Sequence, residues 1–407
     1  MKTILIVGTL DTKEEEILFV KEQIEKRGYQ VILMDIGILA PPTTVKPEIT
    51  QDQVARAASE SLPELIASGN KGICVIAMIK GAKRLVADLY TNGSIDGILS
   101  LGGGTGTSIG CAAMQVLPRG FPKLMVSTTA SGITQFGSLI GTKDITIMYS
   151  IADLQGINFL TTRILTNAAG AICGMVEASE RMTDLQLEGI PVALSMMGTT
   201  TPGALRAKKR LEEKEYEVVT FHQNGTGGIA MEEMIEEGAF KGVFDLSLHE
   251  VGDREFGGLH GAIKSTRLEA AGKKGIPQVV SPGCIIYYVL GPVNTLSADM
   301  KKRKFFVHSP QLTLVRATSK ELTKIGKIIA HKLNQAKGPV KVFIPLKGFC
   351  FPDREGLPLH DPEGNQTFIT SLKKNLLPNI PFIEINAHIN DPEFIDPMVD
   401  EFLKMMT

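Results

Sequence analysis

The run Ser100-Leu101-Gly102-Gly103-Gly104-Thr105-Gly106-Thr107-Ser108 follows the apolar stretch Ile95 to Leu99 and precedes the apolar segment Ile109 to Val116. This order predicts a strand, a glycine loop and a helix. Glycines without Cβ let backbone amides come close to a ligand, and a helix start aims unpaired N–H groups and a positive dipole end at the same point. That chemistry suits an anion, most often a phosphate. The candidate contacts are Gly102, Gly103, Gly104, Thr105, Gly106 and Thr107; the hydroxyls of Thr105, Thr107 and Ser108 either bind phosphate oxygens or cap the helix. There is neither the Lys-Ser/Thr pair of a Walker loop nor the G-x-G-x-x-G dinucleotide pattern, and a turn whose glycines serve packing is the plainer alternative.

The densest ionisable group is His249, Glu250, Asp253, Arg254 and Glu255, which follows the strand-like run Val243 to Leu248. Glu250 or His249 could act as a general base, and Arg254 could hold a phosphate or carboxylate. A loop ion-pair network is the competing reading. Near the N-terminus, Gly8-Thr9-Leu10-Asp11-Thr12-Lys13 joins a strand to a helix. Lys13 could neutralise a phosphate, while Asp11 either positions a metal-bound water or caps the helix. Asp35 follows the second strand, where a dinucleotide site places its ribose-binding acid.

These residues need elements to position them. Thr3 to Val7 reads as a strand, Lys13 to Arg27 as an amphipathic helix and Val31 to Met34 as the next strand, a βαβ unit that implies a parallel sheet. A helix near Gln51 to Ser68, a strand at Gly72 to Ala77, a helix at Ala82 to Tyr90 and a strand at Lys123 to Ser127 follow. Three loops then lie at strand carboxyl ends, Gly8 to Lys13, Gly102 to Ser108, and Ser127-Thr128 to Gly132, where ligands bind in open parallel sheets. Asp144 to Met182 reads as a bridge of strand or loop and helices. At Ile190 the plan restarts, with Gly198-Thr199 standing where Gly8-Thr9 stood. The second half carries its own glycine loop, with Gly225, Thr226, Gly227 and Gly228 before a helix, and a further turn at Ser281-Pro282-Gly283. The expected architecture is α/β, with two Rossmann-like domains, residues 1–184 and 185–407, mainly parallel sheets and an interdomain cleft.

A chain of 407 residues exceeds one ordinary core. Its 43% hydrophobic and 21% charged residues describe a globular protein, and a net charge of -1 argues against a general nucleic-acid partner. The basic run Lys301 to Lys304 leads straight into Phe305-Phe306-Val307 and reads as a solvated turn. Five cysteines, odd in number and without a C-x-x-C pair, fit reduced thiols in a cytoplasmic protein. The apolar stretch Ile276 to Val293 is broken by Pro277, Pro282, Gly283 and Gly291, so no membrane span is expected there. The histidines lack metal-ligand spacing such as H-E-x-x-H, and no dedicated transition-metal site is expected; a carboxylate-bound Mg²⁺ accompanying a nucleotide stays open.

Several segments together carry a resemblance: Gly8 to Lys13, Asp144 to Asp153, Asn167-Ala168-Ala169-Gly170-Ala171, Gly225 to Gly228, Arg267 to Gly272, Pro277 to Gly283, and His308 with Arg316. The chain resembles, nearly end to end, a largely uncharacterised bacterial, archaeal and plant family that includes the N-terminal ATP-binding domain of the tomato mosaic virus resistance protein. The family's usual Gly-Ser-Gly-Gly-Thr loop is Gly103-Gly104-Thr105-Gly106-Thr107 here. The resemblance implies two Rossmann-like domains, a homodimer, and binding of ATP or a related phosphorylated small molecule, with Mg²⁺ as a companion. Two other readings stand beside it: a metabolic enzyme acting on a small phosphorylated or carboxylated metabolite through Glu250 or His249, and a nucleotide-gated interaction protein.

Overall fold

The computed structural model describes residues 1–131, 139–181, 189–261 and 266–407, which fall into two compact units, Met1–Leu185 and Gln186–Thr407. The first contains, in order, β1 (Thr3–Gly8), α1 (Leu10–Glu25), β2 (Gln30–Asp35), α2 (Gln51–Ala57), α3 (Leu62–Ala67), α4 (Lys71–Thr91), β3 (Gly97–Gly102), α5 (Gly104–Met114), β4 (Lys123–Ser127), β5 (Thr146–Tyr149) and α6 (Phe159–Arg181). Its strands form a parallel sheet in the order β2-β1-β3-β4-β5.

Alternation along β1 divides its side chains between two cores. Leu5 and Val7 pack with α2, α4 and α5, whereas Ile4 and Ile6 pack with α1 and α6. Helices on both faces are what a strand apolar at every position requires. Burying each such side chain contributes about 1.5–3 kcal/mol. By length and composition α6 could cross a membrane, but its Leu165, Ala168, Ala169, Ile172 and Val176 belong to the core beside α1.

Two expectations fail in this unit. Gly72 to Ala77 is no strand, because α4 runs unbroken from Lys71 to Thr91. Its buried Cys74, Ala77, Met78, Ala82 and Val86 recur at helical spacing, and the Asn70 side chain caps its start by accepting from the Ile73 amide at 3.2 Å. The periodicity over the longer window outweighs the local β preference of Ile73, Val75 and Ile76. The expected helix Gln51 to Ser68 is two helices: Ser59 adopts a left-handed φ of 67°, and Pro63 sits in the first turn of α3.

The second unit contains β6 (Ile190–Met196), α7 (Thr201–Glu212), β7 (Tyr216–His222), α8 (Thr226–Glu236), β8 (Gly242–Ser247), α9 (His249–Glu255), α10 (Ala270–Lys274), β9 (Gln278–Gly283), β10 (Tyr287–Leu290), β11 (Phe305–Ser309), β12 (Leu312–Arg316), α11 (Ser319–Leu333), β13 (Val340–Pro345), α12 (Pro362–Asn375), β14 (Phe382–Ile385) and α13 (Pro392–Met406). A parallel sheet runs β14-β13-β9-β8-β6-β7, and a small antiparallel sheet runs β10-β12-β11. His249 to Glu255, for which a loop ion-pair network is the competing reading from sequence, is the helix α9, so His249 and Asp253 stand one turn apart on one face.

Candidate functional site

In the first unit the chain leaves β1 toward β2 on one side and returns to β3 on the other. The loops after β1 and β3 therefore diverge at the sheet's switch point, where a parallel α/β sheet opens a crevice. A cavity of about 520 Å³ lies there, lined by Thr9, Asp11, Thr12 and Lys13 from the first loop and by Gly103, Gly104, Thr105 and Gly106 from the second. Gly103 is the N-cap of α5 and brings no side chain to cap that helix. Among the described residues its first amides thus face the cavity without a built-in acceptor.

The remaining candidates of the first unit hold the walls. A Cβ on Gly8 would come 2.4 Å from the Ile17 side chain, so this glycine serves the packing of α1 on β1. Gly102 accepts from the Thr128 amide at 3.2 Å, and the buried Thr107 hydroxyl shares a 2.7 Å hydrogen bond with Ser127. Thr107 and Ser127 are therefore tied to each other and are not phosphate contacts. Ser108 bonds back to the Gly104 carbonyl within its own helix. Gly132 lies outside the described residues.

Asp11 does something the sequence did not suggest. One carboxylate oxygen accepts from the amides of Ile38 and Leu39, both at 2.9 Å, and holds the 37–39 segment against the cavity. Its other oxygen is buried with no hydrogen-bond partner. Gly37 makes the approach possible, since a Cβ there would lie 2.7 Å from the Asp11 carboxyl carbon. Glu14 pins the same loop through the amides of Thr43, Thr44 and Val45, and these bonds bring its carboxyl below its usual range although partial burial opposes them. Asp35 is fully buried and cannot reach a ribose; it accepts from the amides of Leu10 at 3.1 Å and Gly37 at 2.8 Å. Burial pushes its pKa up to about 6 despite those donors.

Lys13 is 8% exposed, and its ammonium sits 3.8 Å from Asp153, which stands at the cavity with Gln155. Lys71, Ile38, Leu39 and Ile66 complete a wall that is cationic on one side and apolar on another. Asp153 was within reach of sequence reasoning, being the last residue of Asp144 to Asp153, but that segment carried no assigned role. Ile66 and Lys71 gave no signal, because their place depends on where α3 and α4 meet.

The second unit's glycine loop is already filled. Glu250 accepts from the amides of Gly225 at 2.6 Å and Gly228 at 3.1 Å, so its carboxylate sits at the start of α8 where a phosphate was expected. Gly228 is needed for this, since a Cβ there would lie 1.6 Å from Glu250 Oε2. Burial raises the Glu250 pKa to about 7, against the nearby Arg267 guanidinium and the two amides. Arg267 itself binds Asp245 through two bonds of 2.7 and 2.6 Å and reaches Glu232 at 3.2 Å and Gln223 at 2.9 Å. Thr226 is exposed beside Asn224, and Gly227 packs on the His222 carbonyl. Ser281 and Gly283 are buried within β9.

His249 and Asp253 are fully buried, and Arg254 is exposed on the outer side of α9. Burial drives the His249 pKa down to about 3 and lifts that of Asp253 to about 6. These residues do not form a base and phosphate clamp open to a substrate. Their neighbour His260, unmarked in the sequence, lies 3.3 Å from His249.

Residues 2–181 match the N-terminal domain, and residues 190–406 the C-terminal domain, of the Uncharacterised protein family UPF0261. A UPF0261 protein of Clostridium tetani is 41% identical over 406 residues, spanning 100% of this chain and 99% of that protein. The ToMV resistance protein Tm-1(GCR237) of Solanum lycopersicum is 32% identical over 425 residues, covering 99% of this chain and 55% of its own length. Among solved structures, a UDP-N-acetylglucosamine 2-epimerase from Rickettsia bellii aligns at 10% identity over 69% of this chain and 78% of that chain, with a TM-score of 0.24. Matched over both units, and by a relative along its whole length, the chain belongs to the UPF0261 family.

Proposed function

We propose that the first unit binds ATP or a related phosphorylated small molecule, its phosphate oxygens on the opening amides of α5 and its apolar part against Ile38, Leu39 and Ile66. The observation that carries this reading is the uncapped start of α5 opening into the switch-point cavity. A helix N-terminus with free amides is an anion site by construction, and a cavity of this size falls in the ordinary range for small ligands. Lys13 supplies the positive charge on the same wall, and Asp153, well exposed beside it, is the carboxylate placed to meet an accompanying Mg²⁺.

The enzyme reading through Glu250 or His249 has less support. Glu250 is held by two amides and Arg267, and His249 is sealed from solvent.

Gly104→Val tests the proposal, since a Cβ at that position would meet nothing within 4 Å, with circular dichroism to confirm that the variant is folded. The side chain would stand in the space the oxyanions need. Calorimetric titration with ATP and Mg²⁺ should show binding by the native chain and at least a roughly tenfold loss in the variant, about 1.4 kcal/mol. No binding by the native chain would end the nucleotide reading, and equal binding by both would move the ligand elsewhere.

A further inference from the structure

His249, Asp253 and His260 turn three potential ligand atoms toward one point at the carboxyl end of the second unit's sheet. His249 Nε2 lies 3.3 Å from His260 Nδ1 and 3.6 Å from Asp253 Oδ1, and the three atoms are mutually within 4.8 Å. Bonds of about 2.0–2.1 Å to a tetrahedral ion place two donors about 3.3–3.4 Å apart, which the 3.3 and 3.6 Å separations approach. We propose that His249 Nε2, Asp253 Oδ1 and His260 Nδ1 hold a divalent transition-metal ion of the zinc class.

The surrounding bonds orient each ligand. His249 Nδ1 faces the Cys284 carbonyl oxygen at 3.2 Å, and a carbonyl can only accept. The neutral ring therefore carries its proton on Nδ1 and presents the Nε2 lone pair to the cluster, the usual backing of a metal-bound histidine. Asp253 is fixed at both oxygens, Oδ2 accepting from the His260 amide at 2.6 Å and Oδ1 from the Val289 amide at 2.7 Å. Each oxygen retains a lone pair. The loop bearing His260 can close this tightly because residue 258 is glycine, where a Cβ would lie 2.0 Å from Asp253 Oδ1.

A hydrogen bond from His260 Nδ1 to His249 Nε2 would account for one edge of the triangle without an ion. It leaves a carboxylate oxygen turned toward the same lone pair, an arrangement that an intervening cation makes favourable. Two imidazoles and one carboxylate favour a borderline divalent transition metal over Mg²⁺ or Ca²⁺. His260 is partly exposed, which gives the ion a route in, and His222 at the end of β7 lies near enough to interact electrostatically with both rings. With three protein ligands the ion keeps a fourth position, which a water molecule fills. The site is in the second unit and does not rest on the nucleotide reading.

The full chain, stripped with a chelator, should take up one Zn²⁺ or Co²⁺ per chain in a competition titration, and Co²⁺ should acquire the intense visible absorption of a low-coordinate complex. His260→Ala should weaken uptake by roughly a hundredfold or more. His308→Ala, an exposed histidine on β11, should leave uptake unchanged. If His260→Ala fails to fold, pulsed EPR of Cu²⁺ bound to the native chain reads coordinated imidazole directly. Failure of the native chain to bind at roughly micromolar metal, native affinity in His260→Ala, or a Cu²⁺ spectrum without imidazole coupling would each overturn the proposal.

Discussion

Replacing Arg267 by methionine should cost the second unit about 3–5 kcal/mol of unfolding free energy, the scale seen when one partner of a buried ion pair is removed. Arg267 is 3% exposed and is shared among Asp245, Glu232, Gln223 and the Ser247 carbonyl, with Glu250 at 3.5 Å. Methionine fills much of the volume but leaves carboxylates in the interior with no cation. Burial already raises the Glu232 pKa against the pull of Arg267, so the loss of that cation would raise it further. A carboxylate whose folded pKa is raised stabilises the fold below its unfolded pKa and loses that contribution as pH rises. The deficit should therefore be smallest in acid and grow toward neutrality. Denaturant unfolding of the native chain and the variant at several pH values checks this; a loss below about 1 kcal/mol that does not change with pH would show the cluster to be plain packing.

Asp35→Asn should reshape the first unit's stability profile. Asp35 is fully buried with a folded pKa near 6, against an ordinary value of 3.8. Its neutral form is the one the fold favours. The native chain should hold that contribution below about pH 4 and lose about 3 kcal/mol as pH rises through 6. Asparagine carries no charge to bury and can still accept from the Leu10 and Gly37 amides through its carbonyl oxygen. The denaturant midpoint of the variant, relative to the native chain, should climb between pH 4 and pH 7. A difference that stays flat across this window would mean that water or a local shift solvates the carboxylate.

The continuous apolar run Ile4 to Val7, the glycines after β1 and β3, and the restart at Ile190 are local patterns, and the sheets follow from them. The cavity loops were legible for the same reason, since strand ends at a switch point are readable from order alone. What failed was settled by tertiary contact. Ile73 to Ala77 is too short an apolar run to distinguish strand from helix, and only its buried face decides. Thr107 and Ser127 are twenty residues apart and meet only when β3 and β4 pair. Glycine loops announce free amides but not what comes to them, which is why Glu250 on the Gly225 and Gly228 amides was out of reach. His249 and Asp253 carried a legible four-residue spacing once α9 was known to be a helix, but nothing local joins them to His260.

The seating of Glu250 on the α8 amides has a consequence for stoichiometry. Two glycine turns of like grammar would suggest two guests per chain, yet the second turn brings its own counter-ion and an arriving phosphate would have to evict it against two amide bonds. Saturating calorimetry should therefore count a single phosphorylated guest per chain. A count of two would mean that the internal carboxylate yields its seat.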